Sequence, residues 1–182
     1  EINMLMKETT GLIIVDIQGK LARLVYDSDT LIANCEKLIK GAQVLDLPIV
    51  YLEQNPDKLG TTVDELEVLL SEYSPIHKYA FNACDESSFL DALKSYNIDT
   101  WLVCGIEAHI CLYQTATGLS ERGYKVQVVS DCIASRKALN KQLALTRLQQ
   151  NNIAITGLEM CLYEMVKDCR SIEFKDILTL VR

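Results

Sequence analysis

The sequence predicts an α/β protein in three layers, a six-stranded parallel sheet with helices on both faces. Three observations carry this. Short apolar runs alternate with amphipathic segments along the whole chain, the pattern of repeated strand–helix–strand units. The first run, Gly11-Leu-Ile-Ile-Val-Asp16, is apolar without interruption until its closing acid, as in a strand covered on both faces. Turn-forming residues, among them Asn55-Pro56, Gly60, Gly105 and Gly123, fall where the runs end or between them.

Element by element, Gly11–Val15 is the first strand, with Asp16 at its carboxyl end. From Asp29 to Leu45 apolar residues recur every three or four positions, giving a helix that Ser28 or Asp29 can cap. Pro48–Leu52 is the second strand, and Glu53–Gly60, containing Asn55-Pro56, reads as a loop. Leu66, Leu69 and Leu70 mark a short helix, Pro75–Tyr79 a brief third strand carrying Lys78, and Ser88–Tyr96 a helix. Trp101–Cys104 is the fourth strand, Leu112–Arg122 a helix stopped by Gly123, and Lys125–Val129 the fifth strand, followed by Asp131. A helix over Lys137–Gln150, a sixth strand over Ile153–Ile155, and helices over Glu159–Lys167 and Phe174–Leu180 complete the chain.

Right-handed crossovers and the common strand order 3-2-1-4-5-6 make the first and fourth strands neighbours, with a crevice outside their carboxyl ends. Asp16 and Cys111 then open into the same crevice. Between them the stretch Trp101–Ala116 stands out: a strand, a break at Gly105, and a tight turn that delivers Cys111 to a helix start. Unpaired N–H groups there favour a thiolate, so Cys111 is expected to be an activated nucleophile.

Composition narrows the function. The 182 residues read as one domain over 1–182, with 1–9 as an N-terminal extension. A net charge of −7 with no basic cluster argues against nucleic acid or anionic membrane as partner. The N-terminal apolar stretch is too short for a signal sequence or span, and no run approaches about 18 apolar residues. Seven cysteines, scattered singly, read as free thiols in a reducing, cytoplasmic setting.

Four pieces of sequence resemble the isochorismatase-like cysteine hydrolases: Val15-Asp16-Ile17-Gln18, Lys78 within His77–Phe81, Gly105-Ile-Glu-Ala-His-Ile-Cys111, and Gly123-Tyr124 leading to Val128–Asp131. They occur in the family's order over nearly the whole chain, and Glu53–Gly60 with Glu159-Met160 is similar to a branch of isochorismatase-domain proteins without assigned substrates. The resemblance implies the isochorismatase-like hydrolase fold and a Cys-Asp-Lys triad. Cys111 is the nucleophile, Asp16 the base, and Lys78 the cation that favours the thiolate and positions the acid. It also implies a cis peptide at Ile106–Glu107, with the amides of Glu107 and Cys111 as an oxyanion hole.

The expected chemistry is cleavage of the C–N bond of a small amide or carbamoyl compound through a thioester. Gln18, Glu53, Tyr79, Phe81 and His109 flank strand ends as substrate-lining candidates, and Gln54 joins them by position. No cofactor is expected. With His77 and His109 the sole histidines, the histidine-containing metal set of nicotinamidases is missing after Tyr51-Leu52, so no metal is expected either. The resemblance further implies a homo-oligomer, from dimer to octamer. Other readings stay open: each buried cysteine as a small hydrophobe, Asp16 as a strand-end cap and Lys78 as a solvated lysine. At the level of function they are a silent scaffold of this fold, or a thiol redox protein using Cys111.

Overall fold

Leu12 and Ile14 pack against one helical layer while Ile13 and Val15 pack against the other, which is why the first apolar run has no polar face. The computed structural model describes residues 2–182. The strands are β1 (Thr10–Val15), β2 (Ile49–Gln54), β3 (Ile76–Lys78), β4 (Thr100–Ile106), β5 (Lys125–Ala134) and β6 (Ala154–Thr156). All pair in parallel, in the order β3-β2-β1-β4-β5-β6. The predicted fold class and strand order are those observed.

The helices are α1 (Leu21–Leu24), α2 (Ser28–Val44), α3 (Pro56–Leu59), α4 (Asp64–Glu67), α5 (Ser87–Lys94), α6 (Tyr113–Glu121), α7 (Ala138–Gln150), α8 (Leu158–Val166) and α9 (Phe174–Val181). Buried residues of α2, α8 and α9 share one core with the sheet, and those of α5, α6 and α7 share the other. Fully buried Trp101 belongs to the second core and lies flat against Gly11, where a Cβ would stand 2.3 Å from the indole. Among the described residues, no helix is long and apolar enough to cross a membrane.

Three local expectations are corrected. Glu53 and Gln54 are not loop residues but the last two residues of β2, and α3 follows within the expected loop. Gly105 does not break the fourth strand: β4 passes through it to Ile106, with a register irregularity between Val103 and Gly105 against β5. The fifth strand runs on to Ala134, so Asp131 lies inside it. There its carboxylate accepts from the amide of Leu158 at 2.8 Å, at the start of α8.

Gly105 is required twice over. Its φ of +124° disfavours any side chain, and a Cβ would stand 2.1 Å from the carbonyl oxygen of Val15, its partner in β1. Gly105→Ala is expected to cost at least about 1–3 kcal/mol from backbone conformation alone. Urea denaturation would register the loss.

Candidate active site

β1 and β4 lie side by side, so their carboxyl ends bring Asp16 and the segment after Ile106 together. Asp16 has φ +50°, a left-handed conformation unusual for a residue with a side chain and concentrated at functional sites. Its amide still donates to the carbonyl of Leu52 at 3.2 Å, so the turn starts one residue after the ladder. The Ile106–Glu107 peptide is cis. Residues Ala108–Leu112 then form a single wide helical turn leading into α6, and that turn carries Cys111.

Lys78 ends β3, two strands away, and is completely buried. Its ammonium donates to Gln54 Oε1 at 2.5 Å, to the carbonyl of Ala80 at 3.0 Å and to that of Phe81 at 3.2 Å. Asp16 Oδ2 lies 2.9 Å from the same nitrogen, a buried ion pair. Apart from Lys78 and the neighbouring Cys111 thiol, the buried carboxylate of Asp16 has no donor. Lys78 is therefore not a solvated lysine, and Asp16 accepts no backbone hydrogen bond as a strand-end cap would.

The ionisation that follows differs from the sequence expectation. Burial raises the Asp16 pKa above its ordinary value, with Lys78 opposing. Burial and then the charge of Asp16 push the Cys111 thiol from 9.0 up to about 12, with Lys78 again opposing. These shifts favour a protonated Cys111 thiol beside a carboxylate of heightened basicity. Desolvation outweighs the helix-start N–H groups because Cys111 is only 8% exposed.

The sign of the pH dependence follows. A thiol whose pKa is raised in the folded state contributes stability below pH 9.0 that is lost as pH climbs toward about 12, on the order of 4 kcal/mol in full. Between those limits the native protein is expected to lose urea resistance more steeply with pH than Cys111→Ala.

A cavity of about 140 Å³ opens onto these groups, lined by Asp16, Gln18, Leu21, Gln54, Leu59, Phe81, Ile106, Glu107, Ile110 and Cys111. Gln18 braces it: its amide accepts from Gln54 N at 2.6 Å and donates to Gln54 O at 2.9 Å and Gly60 O at 2.7 Å. That clamp fixes the end of β2 and the end of α3, which bears Leu59. Cys111 Sγ lies 4.0 Å from Gln54 Oε1, so Gln54 touches both the thiol and the lysine. Glu107 is neutralised by Arg136, whose Nε lies 3.0 Å from Oε2 and whose backbone amide donates to the same oxygen at 2.9 Å.

Three candidate lining residues do not face this cavity. Glu53 is buried beneath it, accepting from the amide and hydroxyl of Thr62 at 2.6 and 2.8 Å, with His77 3.3 Å from its other oxygen. Tyr79 is 70% exposed, and His109 Nδ1 is engaged with the hydroxyl of Ser135 at 2.8 Å. Leu21, Leu59, Ile110 and Arg136 were not anticipated. Leu59 had a signal, an apolar residue inside an otherwise polar turn segment, whereas Arg136 had none. Among the described residues no cluster of three or more His, Cys, Asp or Glu side chains is arranged to hold a metal ion.

The isochorismatase-domain family model matches residues 10–160. A curated relative, isochorismatase domain-containing protein 2 of Danio rerio, is 32% identical over 97% of this chain and 88% of its own length. Among solved structures, that of the MAR1 ribonuclease from Caenorhabditis elegans superposes with a TM-score of 0.91 at 30% identity, covering 98% of this chain and 92% of that one. An octameric hydrolase of unknown specificity from Escherichia coli superposes with a TM-score of 0.92 at 22% identity, covering 99% and 91% of the two chains.

Proposed function

The chain belongs to the isochorismatase family and carries its hydrolase fold, and we propose that it is a cysteine hydrolase cleaving the C–N bond of a small amide or carbamoyl compound. The observation that carries this reading is the buried Asp16 carboxylate: paired with Lys78, otherwise without a donor from the protein, and beside the Cys111 thiol. A carboxylate in that state is poised to accept a proton.

In the proposed sequence the thiol proton passes to Asp16 as sulfur attacks the carbonyl carbon. The C–N bond breaks, the proton passes from Asp16 to the departing nitrogen, and a thioester remains. Water, deprotonated by Asp16, then releases the acid and restores the thiol. Lys78 holds Asp16 in place and limits the cost of burying its charge. Backbone amides of Glu107 and Cys111 are the proposed donors to the developing oxyanion. Gln54 is a positioning residue, fixing Lys78 from the wall of the pocket.

The net charge of −7 gives no support to a ribonuclease activity like that named for the Caenorhabditis elegans protein. We place the protein in a reducing compartment, since all seven cysteines are free. We also expect self-association: Leu139 and Leu143, one turn apart on α7, are 82% and 53% exposed.

The test is ammonia release from a panel of small neutral amides, with hydroxylamine added to intercept the thioester as a hydroxamate. Release of ammonia with hydroxamate formation is expected. No ammonia from any amide and no hydroxamate would defeat the hydrolase reading.

A further inference from the structure

We propose that the Cys111 pocket selects an uncharged acyl group with a short aliphatic chain and turns away carboxylate-bearing compounds, an inference that rests on the hydrolase reading above. Size is the first argument. The cavity of about 140 Å³ is close to the roughly 150 Å³ of an apolar protein cavity that holds benzene. It lies well below the roughly 300 Å³ at which ordinary ligand pockets begin. A chain of about four to six heavy atoms fills such a volume, and a fused bicyclic ring does not.

The walls are the second argument. Leu21, Leu59, Phe81, Ile106 and Ile110 are apolar, and the polar groups lie where Cys111 meets Asp16 and Gln54. An aliphatic chain against these walls loses water at no polar cost, leaving its carbonyl beside the sulfur.

Charge is the third. The lining includes two carboxylates, Asp16 and Glu107, and no lysine or arginine. The two cations nearby are already committed. Lys78 is held by Gln54, Ala80, Phe81 and Asp16, and the Arg136 Nε contacts both oxygens of Glu107. A substrate carboxylate would enter a small, weakly solvated space facing Asp16 without a partner. The same asymmetry acts on the product. Hydrolysis converts a neutral amide into an acid that ionises on release, so the pocket that admits the substrate repels what it makes.

Two alkylating reagents of nearly equal size test this without requiring turnover. In each, sulfur forms a bond to the methylene carbon, the C–I bond breaks and iodide leaves, while the thiol proton goes to Asp16 or solvent. Native protein is labelled with iodoacetamide or with iodoacetate at pH 9, and rates at Cys111 and at exposed Cys169 are read by peptide mass spectrometry. The amide-to-acid rate ratio at Cys111 is expected to exceed that at Cys169 by about tenfold or more. Butyramide is expected to protect Cys111, with butyrate and 1-naphthamide protecting weakly or not at all. Leu59→Lys, which places a cation in the wall, is expected to bring the ratio at Cys111 down toward that at Cys169.

Equal ratios at the two cysteines, or protection by butyrate as strong as by butyramide, would overturn the proposal. So would a Cys111 that neither reagent labels, which counts against the nucleophile as well. Neutral preference without ammonia release from butyramide would leave the selectivity standing and remove the amidase reading alone.

Discussion

Replacing Cys111 with alanine is expected to lower amide hydrolysis by at least about 10⁴-fold while leaving urea resistance at neutral pH within about 1 kcal/mol of the native protein. The two halves of this expectation have separate causes. The thiol is only slightly exposed, and its Sγ contacts Gln54 Oε1 at 4.0 Å, so its removal breaks no strong bond. Its loss does remove the one atom able to form the acyl intermediate. Asp16→Asn is expected to be nearly as inactive for a different reason: the amide keeps the shape but accepts no proton. Since the charge of Asp16 raises the Cys111 pKa, Asp16→Asn should also make the thiol easier to ionise, so iodoacetamide labelling at alkaline pH rises as hydrolysis falls. Because loss of the fold would also expose the thiol and speed its labelling, unchanged urea resistance of Asp16→Asn, measured beside the two rates, is what separates a base from a residue that merely holds the fold.

Lys78→Met is expected to be the most damaging single change to stability. The ammonium is completely buried, pairs with Asp16 at 2.9 Å, and serves Gln54, Ala80 and Phe81. Removing one partner of a buried ion pair costs about 3–5 kcal/mol because the other charge is left behind. In a domain of this size that is a fall in Tm of roughly 10 °C. Asp16 escapes part of the cost by holding its proton to higher pH still. A carboxyl whose folded pKa is raised contributes stability that is present below its ordinary 3.8 and lost as pH rises through the folded value, so Lys78→Met should be least impaired in acid. The double variant Asp16→Asn/Lys78→Met removes the stranded charge and should recover a large part of the loss, though Gln54, Ala80 and Phe81 still lack their donor. Equal stability of the single and double variants would mean that the three hydrogen bonds, not the ion pair, are what Lys78 supplies.

The parallel sheet was legible because burial on both faces imprints itself on sequence: Leu12 to Val15 and Leu102 to Cys104 have no polar alternate. Strand order followed from chirality and the usual winding, which brought Asp16 and the segment carrying Cys111 to one crevice. The end of β2 was not legible, since Glu53 and Gln54 are polar and precede Asn55-Pro56. What makes them strand residues is distant: Thr62 satisfies Glu53, and Gln18 clamps Gln54. Gly105 looked like a stop because glycine commonly ends a strand, whereas here it lets β4 lie against β1 at a point where a Cβ would stand 2.1 Å from the Val15 carbonyl oxygen.

The rise in the Cys111 pKa was not legible for a related reason. A helix start is visible in sequence, but burial beside a carboxylate is a property of the assembled crevice. The three-residue strand carrying Lys78 gave little local signal, and its place is set by pairing with β2, Gln54 opposite Lys78. Arg136 is out of reach of any local pattern. It meets Glu107 because β5 continues to Ala134 and delivers the following residues beside the end of β4.

Asp16 as base and Cys111 as the atom that carries the acyl group are together the centre of this account. The most direct measurement is the mass of the peptide bearing Cys111 after acid quenching of a reaction with a short, activated, neutral acyl donor such as phenyl butyrate. The leaving group needs little proton assistance, so acylation should proceed in both the native protein and Asp16→Asn. Release by water should slow in the variant. The account predicts a butyryl increment on Cys111, transient in the native protein and accumulating in Asp16→Asn. An increment on no cysteine, with Cys111→Ala still hydrolysing the donor at the native rate, would contradict it.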